Sequence, residues 1–241
     1  GTGYSGNIFR TYYGDNSSMN RADFSGVDKF DLTFGSGDDI IRVGDGDDKV
    51  SSGSGNDFID TGTGADIVIG GTGNDRWRAD QSAMTSGFTL DLTDTTKITT
   101  YTVAGRTGSV TGIEMLTLIT GSGNDVITTR SQFFEDQITT GLGDDRIKIV
   151  GGRDMVDAGG GSDTLVLDWG SVTENMEIFN LSKTAGLGYS GNIFRTYYGD
   201  NSSLNRLDFA GIDHFDLTFG SGSDIIRTGD GNDRVIGKAG N

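Results

Sequence analysis

Aspartate side chains recur at every ninth residue between residues 35 and 79, and each stands two positions after a glycine-x-glycine pair. The units read GSGDDIIRV, GDGDDKVSS, GSGNDFIDT, GTGADIVIG and GTGNDRWRA, without a slip in register. A large apolar residue follows each aspartate by two positions. Repetition this strict indicates a repeat architecture and outranks a local secondary-structure prediction. The aspartates are Asp39, Asp48, Asp57, Asp66 and Asp75, and the apolar residues are Ile41, Val50, Ile59, Val68 and Trp77.

The carboxylates form a metal site if they stack. When two nonapeptides make one rung of a flattened coil, aspartates of alternate units lie on the same side, about 4.8 Å apart. Two such carboxylates repel by roughly 1 kcal/mol in water, and a divalent cation between them reverses the sign. Carboxylate and turn carbonyl oxygens suit Ca²⁺ better than octahedral Mg²⁺. This pairing predicts about six calcium ions, which would move the formal net charge of −16 to about −4.

Glycines and apolar residues would hold these aspartates in place. Two glycines at a fixed spacing let the backbone turn through positive φ without a Cβ penalty, and the residues around the apolar position form a short strand. Each strand points one large apolar side chain inward, and no rung buries that face alone, so several rungs must stack. The sequence therefore predicts an all-β protein in which parallel β-roll (β-solenoid) segments alternate with strand-rich connecting or capping modules, with essentially no α-helix.

The nonapeptide run occurs at least three times. Residues 110–123 match residues 24–37 at an offset of 86 and lead into a second run, in which one unit around Asp136 is degenerate. Residues 186–241 repeat residues 1–56 at an offset of 185, with 42 of 56 positions identical. The later runs contribute Asp125, Asp145, Asp154, Asp163, Asp224 and Asp233 as further candidate metal ligands.

These repeats predict the organisation of the chain. Because the last copy breaks off inside a nonapeptide run and the chain does not begin with Met, we expect a fragment of a longer tandem array. The expected segments are a strand-rich lead-in at 1–34, a first calcium β-roll at 35–80, a connecting β module and lead-in at 81–120, a second β-roll at 121–168, a connecting module at 169–219, and the truncated start of a third β-roll at 220–241.

The composition argues against several classes of protein. The chain has no cysteine, which removes disulfide frameworks, zinc-thiolate sites and thiol nucleophiles. With 35 acidic against 19 basic residues, it lacks the basic surface that nucleic acids require, and no apolar run reaches the length of a membrane span. His214 is the only histidine, and Lys29 stands at the equivalent position of the first copy, so we expect neither a catalytic base nor an enzyme.

The units resemble the RTX nonapeptide, GGxGxDxUx, of the calcium-binding parallel β-roll. This resemblance implies type I secretion, folding on meeting extracellular calcium, and calcium ligation by each aspartate and by carbonyls of the glycine-rich turns. The turn of Asp136 lacks the glycine pair, Val150 replaces a glycine and the unit at Lys238 is cut off, so these positions depart from the pattern. The glycines implicated are Gly35, Gly37, Gly44, Gly46, Gly53, Gly55, Gly62, Gly64, Gly71, Gly73, Gly121, Gly123, Gly141, Gly143, Gly220, Gly222, Gly229 and Gly231.

The predicted function is structural. We expect a calcium-binding repeat region of a secreted or cell-surface protein, such as a surface-layer, matrix, motility or adhesin protein, that becomes rigid on binding extracellular calcium. Its expected partners are calcium ions, further copies of itself or cell-surface polysaccharide. One alternative is a carbohydrate-binding or adhesive module that uses Tyr12 and Tyr13 as a sugar-stacking surface. Another is the secretion and folding module of a toxin or hydrolase whose catalytic domain lies elsewhere.

Overall fold

A computed structural model describes residues 3–9, 21–130, 134–195 and 205–240 of the chain. Within these residues the protein consists of short strands joined by turns and contains no helix, as the sequence predicts. It therefore also has no helix there that is long and apolar enough to cross a membrane. The strands are β1 (Tyr4–Phe9), β2 (Arg21–Val27), β3 (Asp31–Thr33), β4 (Ile40–Arg42), β5 (Lys49–Ser54), β6 (Phe58–Asp60), β7 (Ile67–Thr72), β8 (Arg76–Asp80), β9 (Thr89–Asp91), β10 (Thr99–Val103), β11 (Arg106–Thr111), β12 (Met115–Ile119), β13 (Val126–Thr128), β14 (Gln137–Thr139), β15 (Arg146–Ile149), β16 (Arg153–Asp157), β17 (Thr164–Asp168), β18 (Met176–Thr184), β19 (Gly188–Arg195), β20 (Arg206–Ile212), β21 (His214–Thr218) and β22 (Arg234–Ile236).

The nonapeptides of the first run form a parallel β-roll. Strands β3, β5 and β7 pair in parallel on one side, and β4, β6 and β8 pair in parallel on the other. The register joins residues of alternate units, such as Val50 with Val68 and Ile59 with Trp77. These apolar side chains are fully buried, so the single large residue of each unit forms a narrow internal spine.

One sheet runs through both complete rolls. Its nine strands follow the order β18-β19-β20-β16-β14-β12-β8-β6-β4. Strand β12, in the lead-in of the second run, pairs in parallel with β8 on one side and with β14 on the other. The lead-in is therefore itself a rung. On the opposite face, the first roll has the sheet β10-β11-β7-β5-β3 and the second roll has the sheet β22-β21-β17-β15-β13-β9. The six predicted segments are thus joined by shared sheets, and their assignment as separate domains stays a prediction.

The segment between the two rolls covers the end of the first one. Strands β10 and β11 form an antiparallel hairpin, and β11 also pairs in parallel with β7. The ring of Tyr101, on β10, packs 5.4 Å from the ring of Trp77 and 5.2 Å from that of Phe88, measured between centroids. Aromatic pairs at this separation stabilise beyond the area they bury. The connecting segment therefore continues the core of the roll.

The turns of the roll leave no room for side chains where rungs stack. Gly73 adopts φ +137°, and a Cβ there would lie 1.8 Å from the carbonyl oxygen of Gly55 in the preceding rung. Gly55 has the same conformation and faces the carbonyl of Gly37 in the same way, at 2.3 Å. Glycine is the residue that tolerates both this backbone and this approach. The glycine pairs thus set the closest distance between successive turns.

Candidate calcium-binding ladders

The aspartates of the two rolls stack into four columns, which we call ladders. Each ladder lies where a turn leads into a strand, and its members occupy equivalent places in successive rungs of one side. The first ladder contains Asp39, Asp57 and Asp75, the second Asp48 and Asp66, the third Asp125, Asp145 and Asp163, and the fourth Asp136 and Asp154.

A repeated hydrogen bond holds neighbouring members of a ladder together. The backbone N–H of Asp39 donates to Oδ1 of Asp57 at 2.8 Å, and the N–H of Asp57 donates to Oδ1 of Asp75 at the same distance. The N–H of Asp48 donates in the same way to Asp66, at 2.9 Å. The third and fourth ladders repeat the arrangement. Each carboxylate after the first in a ladder therefore uses one oxygen to accept a hydrogen bond from the rung before it.

The second carboxylate oxygen is buried and unpaired. Unsatisfied buried polar atoms are rare in folded proteins, and an unpaired charged oxygen is costlier than a neutral one. Here the same atom is left without a hydrogen-bond partner at seven ladder positions among the described residues. Cations bound along this row would neutralise these buried oxygens and satisfy them as ligands. The atoms are Oδ2 of Asp48, Asp57, Asp66, Asp75, Asp145, Asp154 and Asp163.

Burial raises the pKa of several ladder carboxyl groups above its usual range. Burial raises the pKa of Asp66 to about 7 and that of Asp163 to about 7. Burial, with the neighbouring Asp136 carboxyl, raises the pKa of Asp154 to about 8. Without a cation, these ladders hold protons near neutral pH, because a buried carboxylate without a counter-charge is unfavourable. Burial likewise raises the pKa values of Asp39, Asp48, Asp75, Asp125, Asp136 and Asp145.

The donor set fits calcium. No group of three or more acidic or imidazole side chains able to hold a metal by themselves occurs in the described part of the chain, so backbone carbonyls must complete any site. The glycine turns supply such carbonyls, since the oxygens of Gly55 and Gly37 point along the axis toward the next turn. Carboxylates combined with carbonyls at flexible turns are the all-oxygen surroundings that Ca²⁺ prefers.

The first two ladders end on residues that the nine-residue pattern does not contain. The N–H of Asp75 donates to Oε2 of Glu114 at 3.0 Å, and the Glu114 carboxylate pairs with Arg130 at 2.8 Å. The N–H of Asp66 donates at 2.9 Å to the hydroxyl of the buried Tyr101. The only sequence signal for Glu114 is its place two residues after Gly112, which mimics the glycine-to-aspartate spacing. The sequence holds no comparable signal for Tyr101.

The fourth ladder departs from the others. Its first member, Asp136, belongs to a unit whose sequence lacks the glycine pair, yet its side chain is buried and its Oδ1 accepts the N–H of Leu116 at 2.7 Å. On one side of β12, Leu116 pairs with Trp77. On the other side, Thr117 pairs with Gln137, which places Asp136 opposite Leu116. The register thus shifts by two residues at β12. Asp136 therefore stacks on Asp154 although the nonapeptide pattern is broken in its unit.

The remaining predicted aspartates belong to none of the four ladders. Asp224 and Asp233 are half-buried, and their Oδ1 atoms accept the N–H groups of Met176 and Phe215, both at 2.9 Å. Their Oδ1 contacts match those at the starts of other ladders, where the N–H of Phe30 donates to Asp48. Glycines at the start of the second and third runs pack against connecting segments, as Gly121 does against Met84 and Gly220 against Val172. Tyr12 and Tyr13 lie outside the described residues.

Stacked aspartates on a parallel β-roll define a class of calcium-binding repeat structure, and the comparison with known families agrees. The model of the RTX calcium-binding nonapeptide repeat matches the chain in four copies, at residues 35–59, 44–76, 150–173 and 220–241. The chain therefore carries RTX calcium-binding nonapeptide repeats, as the sequence predicts, and these repeats imply that it binds calcium. No curated protein matches the chain.

Proposed function

We propose that this chain is a calcium-binding structural repeat region of a secreted or cell-surface protein, and that it becomes a stiff rod when calcium fills its ladders. The observation that carries this proposal is the row of buried, unpaired Oδ2 atoms. A cation between rungs satisfies these oxygens and joins successive turns at the same time. Extracellular calcium, which is far more abundant than cytosolic calcium, fits a chain that needs many ions to fold.

The ladders support a count of about six bound ions. Six aspartate pairs are adjacent, one for each hydrogen bond that joins a backbone N–H to the next Oδ1. One ion per adjacent pair gives about six ions, which offsets most of the net charge of −16. Because each rung contacts only its neighbours, binding at one pair orders the next and should be cooperative.

Calcium titration tests the proposal. We expect circular dichroism to show a largely unfolded chain in excess chelator and a β-rich chain in millimolar calcium, with about six ions bound by calorimetry. A chain that is equally β-structured under both conditions would contradict the proposal.

A matched pair of variants tests whether the ions bind in the ladders. Asp57 is buried between two ladder neighbours, whereas Asp31 lies on the exposed face of β3 and pairs with Lys49 at 3.0 Å. Asp57→Asn should remove about two ions and weaken the folding response, because it removes charge from two adjacent pairs. Asp31→Asn should leave the stoichiometry unchanged. Equal losses in both variants would show that calcium binds to general surface charge.

We further propose that the chain has no catalytic activity of its own. His214 lies beside Ser162, with Nε2 at 3.2 Å from the serine Oγ, a pairing that resembles a nucleophile and its base. However, Nδ1 of His214 accepts the backbone N–H of Asn232 at 3.3 Å, so the neutral ring carries its proton on Nε2. The imidazole therefore donates to Ser162 and does not activate it. Serine-directed fluorophosphonate labelling of the folded chain should be absent, and labelling at Ser162 would refute this assignment.

The repeated unit of 185 residues supports a structural role in an extended array, such as a surface layer, a matrix, a motility filament or an adhesin stalk. Long near-identical units in series are a property of rods and stalks, since length is obtained by repetition. Small-angle scattering in calcium should report an elongated particle whose radius of gyration exceeds the roughly 18 Å of a compact domain of this size. Immunolabelling of intact cells that express the parent protein tests the surface location.

A further inference from the structure

The repeated sequence occurs in two different environments within one molecule. Residues 186–241 repeat residues 1–56, and in this second copy β20 pairs in parallel with β16 while β21 pairs in parallel with β17. In the first copy, the equivalent strand β2 pairs only with β1, and β3 pairs only with β5, among the described residues. The edges that are covered in the second copy are open in the first.

The first copy is already folded in the form that docks. Its hairpin pairs Tyr4 with Val27 and keeps a register shift after this pair, and the second copy pairs Tyr189 with Ile212 and has the same shift. Each hairpin is anchored alike, because the Tyr4 hydroxyl accepts the N–H of Asp45 at 2.6 Å and the Tyr189 hydroxyl accepts the equivalent N–H at 2.7 Å. The open edge is therefore already ordered, and it loses little conformational entropy when it binds.

The open edge carries apolar side chains that the second copy buries. Val27, Leu32 and Phe34 are only partly buried in the first copy. The equivalent residues of the second copy, Ile212, Leu217 and Phe219, have no exposed surface. Their full burial in the second copy and only partial burial in the first mark a surface of the first copy that further strands can cover.

The partner surface also appears within the molecule. The last rungs of the second roll, β16 and β17, each form five residue pairs with the second copy. The carbonyl of Asp163 accepts the N–H groups of Asp213 and His214 at 3.0 and 2.9 Å. In the first copy these donors correspond to Asp28 and Lys29, which are exposed.

We propose that the open edge of the first copy, formed by β2, β3 and the residues between them, binds β16 and β17 of another copy of the 185-residue unit, in the register of β20 and β21. This contact is heterologous and does not close on itself, so units joined in this way form a line. In this chain the second copy already pairs with β16 and β17, so the open edge of the first copy is the surface that a further unit would contact.

The test makes β16 and β17, the proposed partner surface, accessible in a folded molecule. A recognition sequence for a specific protease is placed in the exposed turn around Leu187, between β18 and β19, and the chain is cut in calcium. We expect the two pieces to stay together through the pairing of β20 with β16 and of β21 with β17, and residues 186–241 to become exchangeable. When excess intact chain is added, we expect it to displace a labelled 186–241 fragment and to form a one-to-one complex on size-exclusion chromatography with light scattering.

Two substitutions at one position of the intact chain control for register. Lys29→His installs the residue that the second copy has at this place and should bind as the unaltered chain does. Lys29→Pro removes the N–H equivalent to the donor of His214 and should bind at least about tenfold more weakly. Circular dichroism in calcium checks that both variants fold.

The outcomes separate this inference from the calcium proposal on which it rests. If the intact chain folds without calcium, the proposed function is wrong, whatever the docking result. If the chain folds in calcium but the fragment is not displaced, or if Lys29→Pro binds as well as Lys29→His, the docking inference is wrong and the calcium proposal stands. Displacement that Lys29→Pro abolishes supports both the partner and the register.

Discussion

The contact between stacked glycines makes a quantitative prediction about Gly73→Ala. Two effects lower the free energy of unfolding of this variant. The alanine takes a backbone conformation with φ +137°, which costs roughly 1–3 kcal/mol. Its Cβ also falls 1.8 Å from the carbonyl oxygen of Gly55, whereas a carbon–oxygen contact needs about 3.3 Å. The turns must separate by about 1.5 Å, which breaks bonds such as that from the Gly55 N–H to the Thr72 carbonyl.

Gly37→Ala is the control that separates the two terms. Gly37 has φ +121°, but a Cβ there would meet no atom within 4 Å. This variant should lose only the conformational term, about 1–3 kcal/mol. Gly73→Ala should lose a further 2–4 kcal/mol or so, for about two rung-to-rung hydrogen bonds with their buried groups left unpaired. The assay is urea denaturation of both variants in saturating calcium. Equal losses would refute the argument that rung contact, and not backbone conformation alone, demands glycine.

Three further predictions concern the ladders. In chelator, the small folded fraction should be larger near pH 5 than near pH 8, because burial raises the pKa of Asp66 in the folded chain, and the resulting contribution is complete below the unfolded pKa and lost as the pH rises through about 7. Saturating calcium should reverse this order, and circular dichroism at both pH values measures the folded fraction. Tyr101→Phe removes the hydroxyl that caps the second ladder and should lower the free energy of unfolding by roughly 1–3 kcal/mol in urea denaturation, so an unchanged value contradicts the capping role. Glu114→Gln leaves Arg130 without its counter-charge and should cost about 2 kcal/mol in urea denaturation. Lys97→Ala, at a fully exposed ion pair, should leave stability nearly unchanged, and similar costs for the two variants would sink the argument for Glu114.

The nine-residue period was sufficient to predict the repeating part of the fold. Because glycine spacing sets the turn and one apolar residue sets the strand, the parallel register of Val50 with Val68 follows from counting residues. The same count stacks Asp39 on Asp57 and leaves one oxygen of Asp57 for a cation. Local geometry and long-range pairing coincide in a solenoid, since each unit contacts the unit two places away.

The ends of the ladders could not be predicted in this way. Glu114 and Tyr101 reach the ladders from segments without a nine-residue period, and their positions depend on pairing between strands far apart in sequence. The two-residue shift at β12 is equally invisible, because Leu116 and Leu118 both point inward and either one could continue the spine. Here packing decides which register wins, and pattern alone offers two equivalent choices.

The continuous nine-stranded sheet determines how the molecule would carry a load. Hydrogen bonds between rungs run along the axis of the roll, so tension between its ends falls on successive rung contacts in series. The weakest contact opens first and the rest stay closed, and each opened rung releases slack before the next contact is strained. A repeat region built in this way would yield by small steps, absorb work at every step, and close again when the pull relaxes, because the rungs and the glycine turns keep their original order along the chain.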